Sequence, residues 1–388
     1  MQRGDLVELT IDDVGFGGAG VGRVDGMAVF VPFTIDGERV RARVVKTARR
    51  YAAAEPVAVE VASPMRVTPP CPAFGRCGGC QLQHIAYPRQ LALKKRALGE
   101  IMRRIGGVAD APAADLPPAP RPYGYRNRIT LHGRGPYGFV GTDNRSIVPV
   151  TRCEIAAEGI NRRLAAPGAG AAETRGDLVL RCDGHGNVWS YGTRDRARAV
   201  IEERVLDKRL RVPLNAFFQV NVPVAEQIAA ALDAALAASE CSVLADAYCG
   251  AGLFTLLLAG RVERAIGIER SPEAVRAAQA NARALKLPHC RFRAAPAEQA
   301  LGPALAPLPM ERTCLLLDPP RAGCGDKVLA AIASSRPRML IYLSCNPPVL
   351  ARDARRLTET GYRLRNLLPF DMFPQTAHFE AVALLETN

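Results

Sequence analysis

A chain of 388 residues, 48% hydrophobic and 23% charged, is long enough for two or three domains with cores of ordinary size. No uninterrupted apolar run is long enough to span a bilayer, and the opening Met1-Gln2-Arg3-Gly4-Asp5 lacks the apolar stretch of a signal peptide, so no membrane association and a cytoplasmic location are expected. With 51 Lys and Arg against 38 Asp and Glu, the net charge of +13 points to a polyanionic partner.

Residues 1–62 alternate short β-rich runs, at 6–11, 28–32, 39–46 and 57–61, with a glycine turn between 15 and 22. Short, evenly spaced strands without a helical period predict a small β-barrel. Its basic cluster of Arg39, Arg41, Arg43, Lys46, Arg49 and Arg50 suits phosphate contact, and without an aromatic platform it reads as a binder of nucleic-acid backbone rather than of bases. A second, β-rich unit is expected over 63–212. It opens with cysteines between 71 and 80, continues with a helix over about 89–104 and an Ala- and Pro-rich surface loop at 109–122, and carries a glycine-rich loop at 167–170.

From 213 to 388 apolar strands alternate with helices. Strands are predicted at 243–246, 265–269, 314–318 and 339–344, and Ser271 followed by Pro272 reads as the cap and first turn of a helix reaching 287. The repetition predicts an α/β fold, a doubly wound Rossmann-like domain with a parallel sheet, whose ligands bind beyond the carboxyl ends of the strands.

The motifs fall at those ends. Asp246-Ala247-Tyr248-Cys249-Gly250-Ala251-Gly252 turns the first strand into a helix through glycines, and Glu269 at the end of the next strand is placed to accept hydrogen bonds from ribose hydroxyls. That is a nucleoside site, and the absence of a full GxGxxG favours an adenosyl ligand over a dinucleotide. In Asp318-Pro319-Pro320-Arg321 two prolines fix a rigid turn that holds the Asp318 carboxylate at the mouth of the sheet. Ser344-Cys345-Asn346-Pro347 ends the following strand where a nucleophile would be presented, and Glu380, near His378, is a candidate general base. Leu214 to Asn221 sets amides beside Phe217 and Phe218, suited to a planar base or cofactor and equally to the core. Eleven cysteines without an export signal read as ligands, nucleophiles or buried apolar residues, not as disulfides.

Taken together, Phe218-Gln219-Val220-Asn221, Asp246-Ala247-Tyr248-Cys249-Gly250, Asp318-Pro319-Pro320-Arg321, Ser344-Cys345-Asn346-Pro347 and His378-Phe379-Glu380 resemble the S-adenosylmethionine-dependent RNA 5-methyluridine methyltransferase family. Residues 1–62 resemble the TRAM domain, an RNA-binding barrel often fused to these enzymes. The resemblance implies cofactor contacts at Gln219, Tyr248, Glu269 and Asp318, a nucleophile at Cys345 and a base at Glu380. It also implies a [4Fe-4S] cluster on Cys71, Cys77, Cys80 and Cys153, while spacing alone leaves structural zinc open. Two positions depart from the pattern: Leu253 stands where relatives often have Asn, and Pro296 or Ala297 where a polar side chain commonly meets the adenine.

The implied partner is RNA, ribosomal RNA ahead of transfer RNA, and a monomer is expected. Two rival readings are an amino-group methyltransferase gripping an exocyclic nitrogen with Asp318-Pro319-Pro320, which needs no cysteine, and a non-catalytic RNA-binding protein whose barrel makes the contacts.

Overall fold

The computed structural model of the chain describes residues 1–109, 111–133, 137–166, 176–195 and 199–387; the glycine-rich loop expected at 167–170 lies outside them. Five strands, β1 (Leu6–Val14), β2 (Ala19–Val24), β3 (Met27–Pro32), β4 (Arg39–Thr47) and β5 (Tyr51–Val61), close into a barrel in the order β1-β2-β3-β5-β4. Alternation along β4 explains its basic face, because Val40, Ala42 and Val44 point inward and leave Arg39, Arg41 and Arg43 outside. Arg66, just past the last strand, latches the barrel by forking onto the buried Glu38 carboxylate at 2.6 and 2.8 Å.

Helix α1 (Tyr87–Arg104) carries ion pairs from Arg89 to Asp36 and from Arg96 to Asp13 on the barrel, while its buried Leu98, Ile101 and Met102 join the core of the C-terminal sheet. The middle of the chain is built from β6 (Arg128–Leu131), β7 (Gly138–Val140), β8 (Ile147–Pro149), α2 (Glu158–Ala165), β9 (Leu178–Cys182), β10 (Val188–Gly192), β11 (Val200–Val205) and β12 (Lys208–Pro213). It forms a three-stranded sheet, β10-β9-β6, and two hairpins, β7-β8 and β11-β12. The last hairpin sends Ile201, Val205, Leu210 and Val212 into the large core of the C-terminal part.

That part comprises α3 (Val222–Ala237), β13 (Val243–Asp246), α4 (Leu253–Leu258), β14 (Arg264–Glu269), α5 (Pro272–Ala284), β15 (Cys290–Ala294), α6 (Ala297–Leu305), β16 (Thr313–Leu317), α7 (Asp326–Ser335), β17 (Met339–Ser344), α8 (Pro347–Glu359), β18 (Tyr362–Phe370) and β19 (Glu380–Thr387). The sheet order is β15-β14-β13-β16-β17-β19-β18. Its first five strands run parallel, and β16 and β17 are buried along their whole length between helices on both faces, as a central parallel strand requires. The α/β, doubly wound expectation holds, with one addition: β19 runs antiparallel to both β17 and β18. Ser271 caps α5 as expected, its hydroxyl accepting the Ala274 amide at 3.3 Å.

The Ala- and Pro-rich stretch is the irregular surface segment expected, and it is pinned to the sheet. Pro112 and Ala114 exchange backbone hydrogen bonds with Leu367 of β18 at 3.0 and 2.9 Å, and Leu116 and Ala119 are buried. The stretch covers a sheet edge that would otherwise expose unpaired amides, a role its alanines can fill because they are small.

Candidate active site

Four of the sequence motifs converge where the parallel strands end. At the end of β13 the Asp246 carboxylate is buried and accepts the Thr255 hydroxyl at 2.6 Å and the Tyr248 amide at 3.3 Å, which fixes the turn into α4. Gly250 and Gly252 both have positive φ, at 54° and 89°, so side chains at either position would strain the turn. Glu269 reaches back to this turn from β14, its carboxylate accepting Gly250 N at 3.3 Å and Ser271 N at 2.8 Å. The Tyr248 hydroxyl is buried beside the Cys324 thiol, with no oxygen or nitrogen partner. A glycine turn with a carboxylate tethered across it fits a nucleoside ligand.

The second group gathers around Cys345. Ser344, the last residue of β17, pairs with Ala381 of β19, and Cys345 follows it close enough to Glu380 for the carboxylate to add to burial in raising the thiol. Asn346 binds the neighbouring turn, donating its side-chain amide to Arg321 O at 2.9 Å. That turn is fixed from below by Asp353, which accepts the Cys324 amide at 3.0 Å and the Tyr342 hydroxyl at 2.7 Å. Gly323 (φ 83°) lies so close that a Cβ there would come within 2.5 Å of the Asp353 carboxylate.

The electrostatics of this group are dominated by burial. The Cys345 thiol is pushed up to about 11 by burial and then by Glu380, with Arg321 pulling the other way. Burial, reinforced by Asp318, raises the Glu380 carboxyl well above the ordinary range, and one of its oxygens has no partner. Burial also lifts Asp318 to about 8 and Asp246 to about 6. Asp318 still meets solvent while Glu380 is sealed, so the desolvation argument is stronger for Glu380. A carboxylate of high proton affinity beside a thiol is equipped to remove a proton from carbon.

Comparison with known proteins agrees with this geometry. Residues 196–388 match the tRNA (Uracil-5-)-methyltransferase family and residues 1–57 match the TRAM domain. An RNA methyltransferase of Listeria monocytogenes, uncharacterized, is 30% identical over 100% of this chain and 99% of its own length. One of Thermosynechococcus vestitus, also uncharacterized, is 33% identical with the same coverage. The chain belongs to the RNA uracil-5-methyltransferase family. Its fold is also that of the Pyrococcus abyssi tRNA (uracil-54, C5)-methyltransferase solved with S-adenosyl-L-homocysteine, with a TM-score of 0.74 at 23% identity, covering 98% of this chain and 100% of that one. It is an enzyme of RNA methylation, and S-adenosylmethionine is the methyl donor that goes with the family.

Elsewhere in this methyltransferase the four expected cysteine ligands come together. Cys71, Cys77, Cys80 and Cys153 are all free and half-buried, and they line one cavity of about 460 Å³ with Arg126, Arg128 and Phe217. Burial raises the Cys77 thiol, lifts Cys80 to about 12 and Cys153 to about 11, and the neighbouring thiols add to each shift. Among the described residues no three His, Cys, Asp or Glu side chains stand at the spacing that holds a metal ion.

Other expectations resolve individually. Gln219 is buried in the loop before α3, tethered through its carbonyl to the Asn127 side chain at 3.1 Å. Phe218 belongs to the core whereas Phe217 is 69% exposed. Leu253 is buried, and exposed Pro296 precedes α6 as its cap residue. Arg321 carries no task of its own in the sequence motif; its place three residues after Asp318 was the available signal.

Proposed function

We propose that this methyltransferase forms 5-methyluridine through a covalent adduct of Cys345. Carbon 5 of uracil is a poor nucleophile. Addition of the Cys345 sulfur to carbon 6 moves an electron pair toward carbon 5 and the carbonyl oxygen, and carbon 5 can then accept a methyl group. S-adenosylmethionine, when bound, supplies that methyl as an electrophilic sulfonium. Glu380 takes the proton from carbon 5, and the carbon–sulfur bond breaks as the double bond is restored. Arg321 stabilises the thiolate before addition and after release. Tyr248, Glu269, Asp318 and Gln219 hold the adenosyl donor, and Asp318 and Gln219 also serve to hold the base.

The observation that supports this reading is the closeness of Cys345 to Glu380 just beyond the Ser344–Ala381 pair, where burial and the carboxylate raise the thiol. An amino-group methyltransferase has no use for that pair, and the family membership makes the non-catalytic reading the weaker one. The deciding experiment replaces Glu380 by Gln and incubates the protein with RNA and methyl-labelled donor. A labelled protein–RNA band that survives denaturation supports the assignment; normal turnover by Glu380→Gln, or an equal band from Cys345→Ala, overturns it.

Within this reading residues 1–62 gather RNA, 63–212 carry the cysteine site and 213–388 perform the transfer, in a cytoplasmic monomer. The target is a uridine of large-subunit ribosomal RNA, supported by the barrel together with the cysteine quartet. Mapping methylated uridines in ribosomal and transfer RNA from a deletion strain decides between the two RNAs. The quartet would hold a [4Fe-4S] cluster that is structural or helps hold RNA, with structural zinc the alternative, and four thiols lining one cavity support a metal site there.

A further inference from the structure

The turn of the first barrel hairpin packs against the segment that leads to Glu380. Its turn, Gly15-Phe16-Gly17-Gly18, is closed by Gly18 N donating to Gly15 O and Gly15 N to Ala19 O, both at 2.9 Å. Gly18 is pressed against the body of the enzyme: a Cβ there would lie 2.9 Å from the Gln81 Cβ and 3.5 Å from the Ala377 Cβ. This close approach, together with φ values of 115° and 86° at Gly17 and Gly18, makes glycine necessary and fixes where Phe16 stands. The Phe16 ring meets Phe379 edge to face, with centroids 6.2 Å apart and planes at 90°. Phe379 is wholly buried and is the immediate neighbour of Glu380, yet Phe16 keeps 43% of its surface exposed.

An exposed aromatic trail leads away from this point along the barrel. A Cβ on Gly15 would touch the Phe30 ring at 4.0 Å, and Phe30 packs edge to face on Tyr51 at 5.8 Å. Phe30 and Tyr51 are 37% and 38% exposed, and Tyr51 follows the exposed Arg49 and Arg50. No stacking platform was legible in the sequence, because its members are far apart in the chain and are gathered only by barrel closure.

We infer that Phe16, Phe30 and Tyr51 form a stacking path on the barrel for unpaired nucleotides flanking the target uridine. The inference rests on the RNA-methyltransferase reading and adds to it the substrate's local form. A uridine must leave its stack to reach Cys345, and an exposed ring on the barrel can take up the face that a neighbouring base loses. Exposed rings beside arginines are what a single strand needs: π-faces for bases and cations for phosphates. An RNA partner is favoured over a protein because the trail runs beside exposed arginines on an enzyme whose substrate is RNA.

The test uses the full-length enzyme and an unstructured 12-nucleotide oligouridylate. Trp189 is the single tryptophan, so Phe16→Trp in a Trp189→Phe background places one fluorophore on the path. Oligouridylate should quench it, and inorganic polyphosphate should not. Phe16→Ala should weaken oligouridylate binding about ten-fold, the scale of one lost base stack, with the slope of log affinity against log salt unchanged because no phosphate contact is removed. Tyr51→Ala, on the barrel surface, should weaken binding in the same salt-independent manner even where Phe16→Ala proves unstable. A tryptophan at 16 that oligouridylate leaves unquenched, or Phe16→Ala and Tyr51→Ala proteins that bind as wild type does, would overturn the inference. Failure of wild type to bind RNA at all would instead strike the reading beneath it.

Discussion

Gln90 and Gln375 hold each other twice: Gln90 Nε2 donates to Gln375 Oε1 at 2.9 Å, and Gln375 N donates to Gln90 Oε1 at 3.3 Å. Gln375 sits in the left-handed region, at φ 69°, in the segment that leads to Glu380, and its carbonyl accepts the amides of Gln81 and Leu82 at 3.2 and 3.0 Å. The same Gln90 amide also reaches the carbonyls of Leu82 and Ile85. Helix α1, the residues after Cys80 and the approach to the base are thus one hydrogen-bonded unit.

Replacing Gln90 by Ala orphans several buried polar groups at once. A loss of about 2 kcal/mol or more in unfolding free energy is expected, read from the urea midpoint, because buried donors and acceptors without partners cost about 1–3 kcal/mol each. The turnover number should fall as well, since the segment that carries Glu380 loses its strap. A Gln90→Ala protein with wild-type midpoint and turnover would show that the strap is incidental.

The buried carboxyls make the free enzyme less stable as pH rises. A carboxyl with higher proton affinity in the fold than in the unfolded chain contributes stability that is complete below its unfolded pKa and is lost as pH climbs to its folded value. For Asp318 that window runs from 3.8 to about 8. Asp318→Asn and Glu380→Gln should therefore raise the melting temperature, with a gap over wild type that widens between about pH 5 and pH 8. Glu380→Gln should show the larger gap because Glu380 is sealed from solvent. Melting curves across that range check both, and a gap that narrows with pH would contradict the assignment.

Arg321 opposes the two influences that raise the Cys345 thiol, burial and Glu380. Replacing it by Met should displace the pH midpoint of Cys345 alkylation upward, followed by peptide mass after iodoacetamide treatment, and should lower methyl transfer. Arg321→Lys should restore part of both. An unchanged alkylation profile in Arg321→Met would remove Arg321 from the thiolate's environment.

Anaerobically purified enzyme should be brown and contain iron and acid-labile sulfide, and Cys153→Ser should lose most of both. Stoichiometric zinc without iron would reassign the cavity around Cys71, Cys77, Cys80 and Cys153 to a different metal.

The sequence by itself determined the elements and the chemistry that depends on local spacing. Glycine turns, prolines after Asp318 and the cap at Ser271 act within a few residues, and strand ends are where an α/β sheet must present its functional groups, so Glu269, Asp318, Cys345 and Glu380 stand out as candidates in the chain alone, and Tyr248 through the family resemblance. Tertiary structure decided what depends on distant residues meeting. Whether the Ala- and Pro-rich stretch is a loop or an edge strap depends on β18 lying beside it, and the split between buried Phe218 and exposed Phe217 depends on which side of one loop faces the core. The same holds for the aromatic trail: Phe16, Phe30 and Tyr51 obey no helical or strand period that joins them, and only closure of the barrel and its docking at Gly18 bring them to Phe379. Local propensity is written every few residues, whereas a surface assembled from separate strands exists only once the strands have packed.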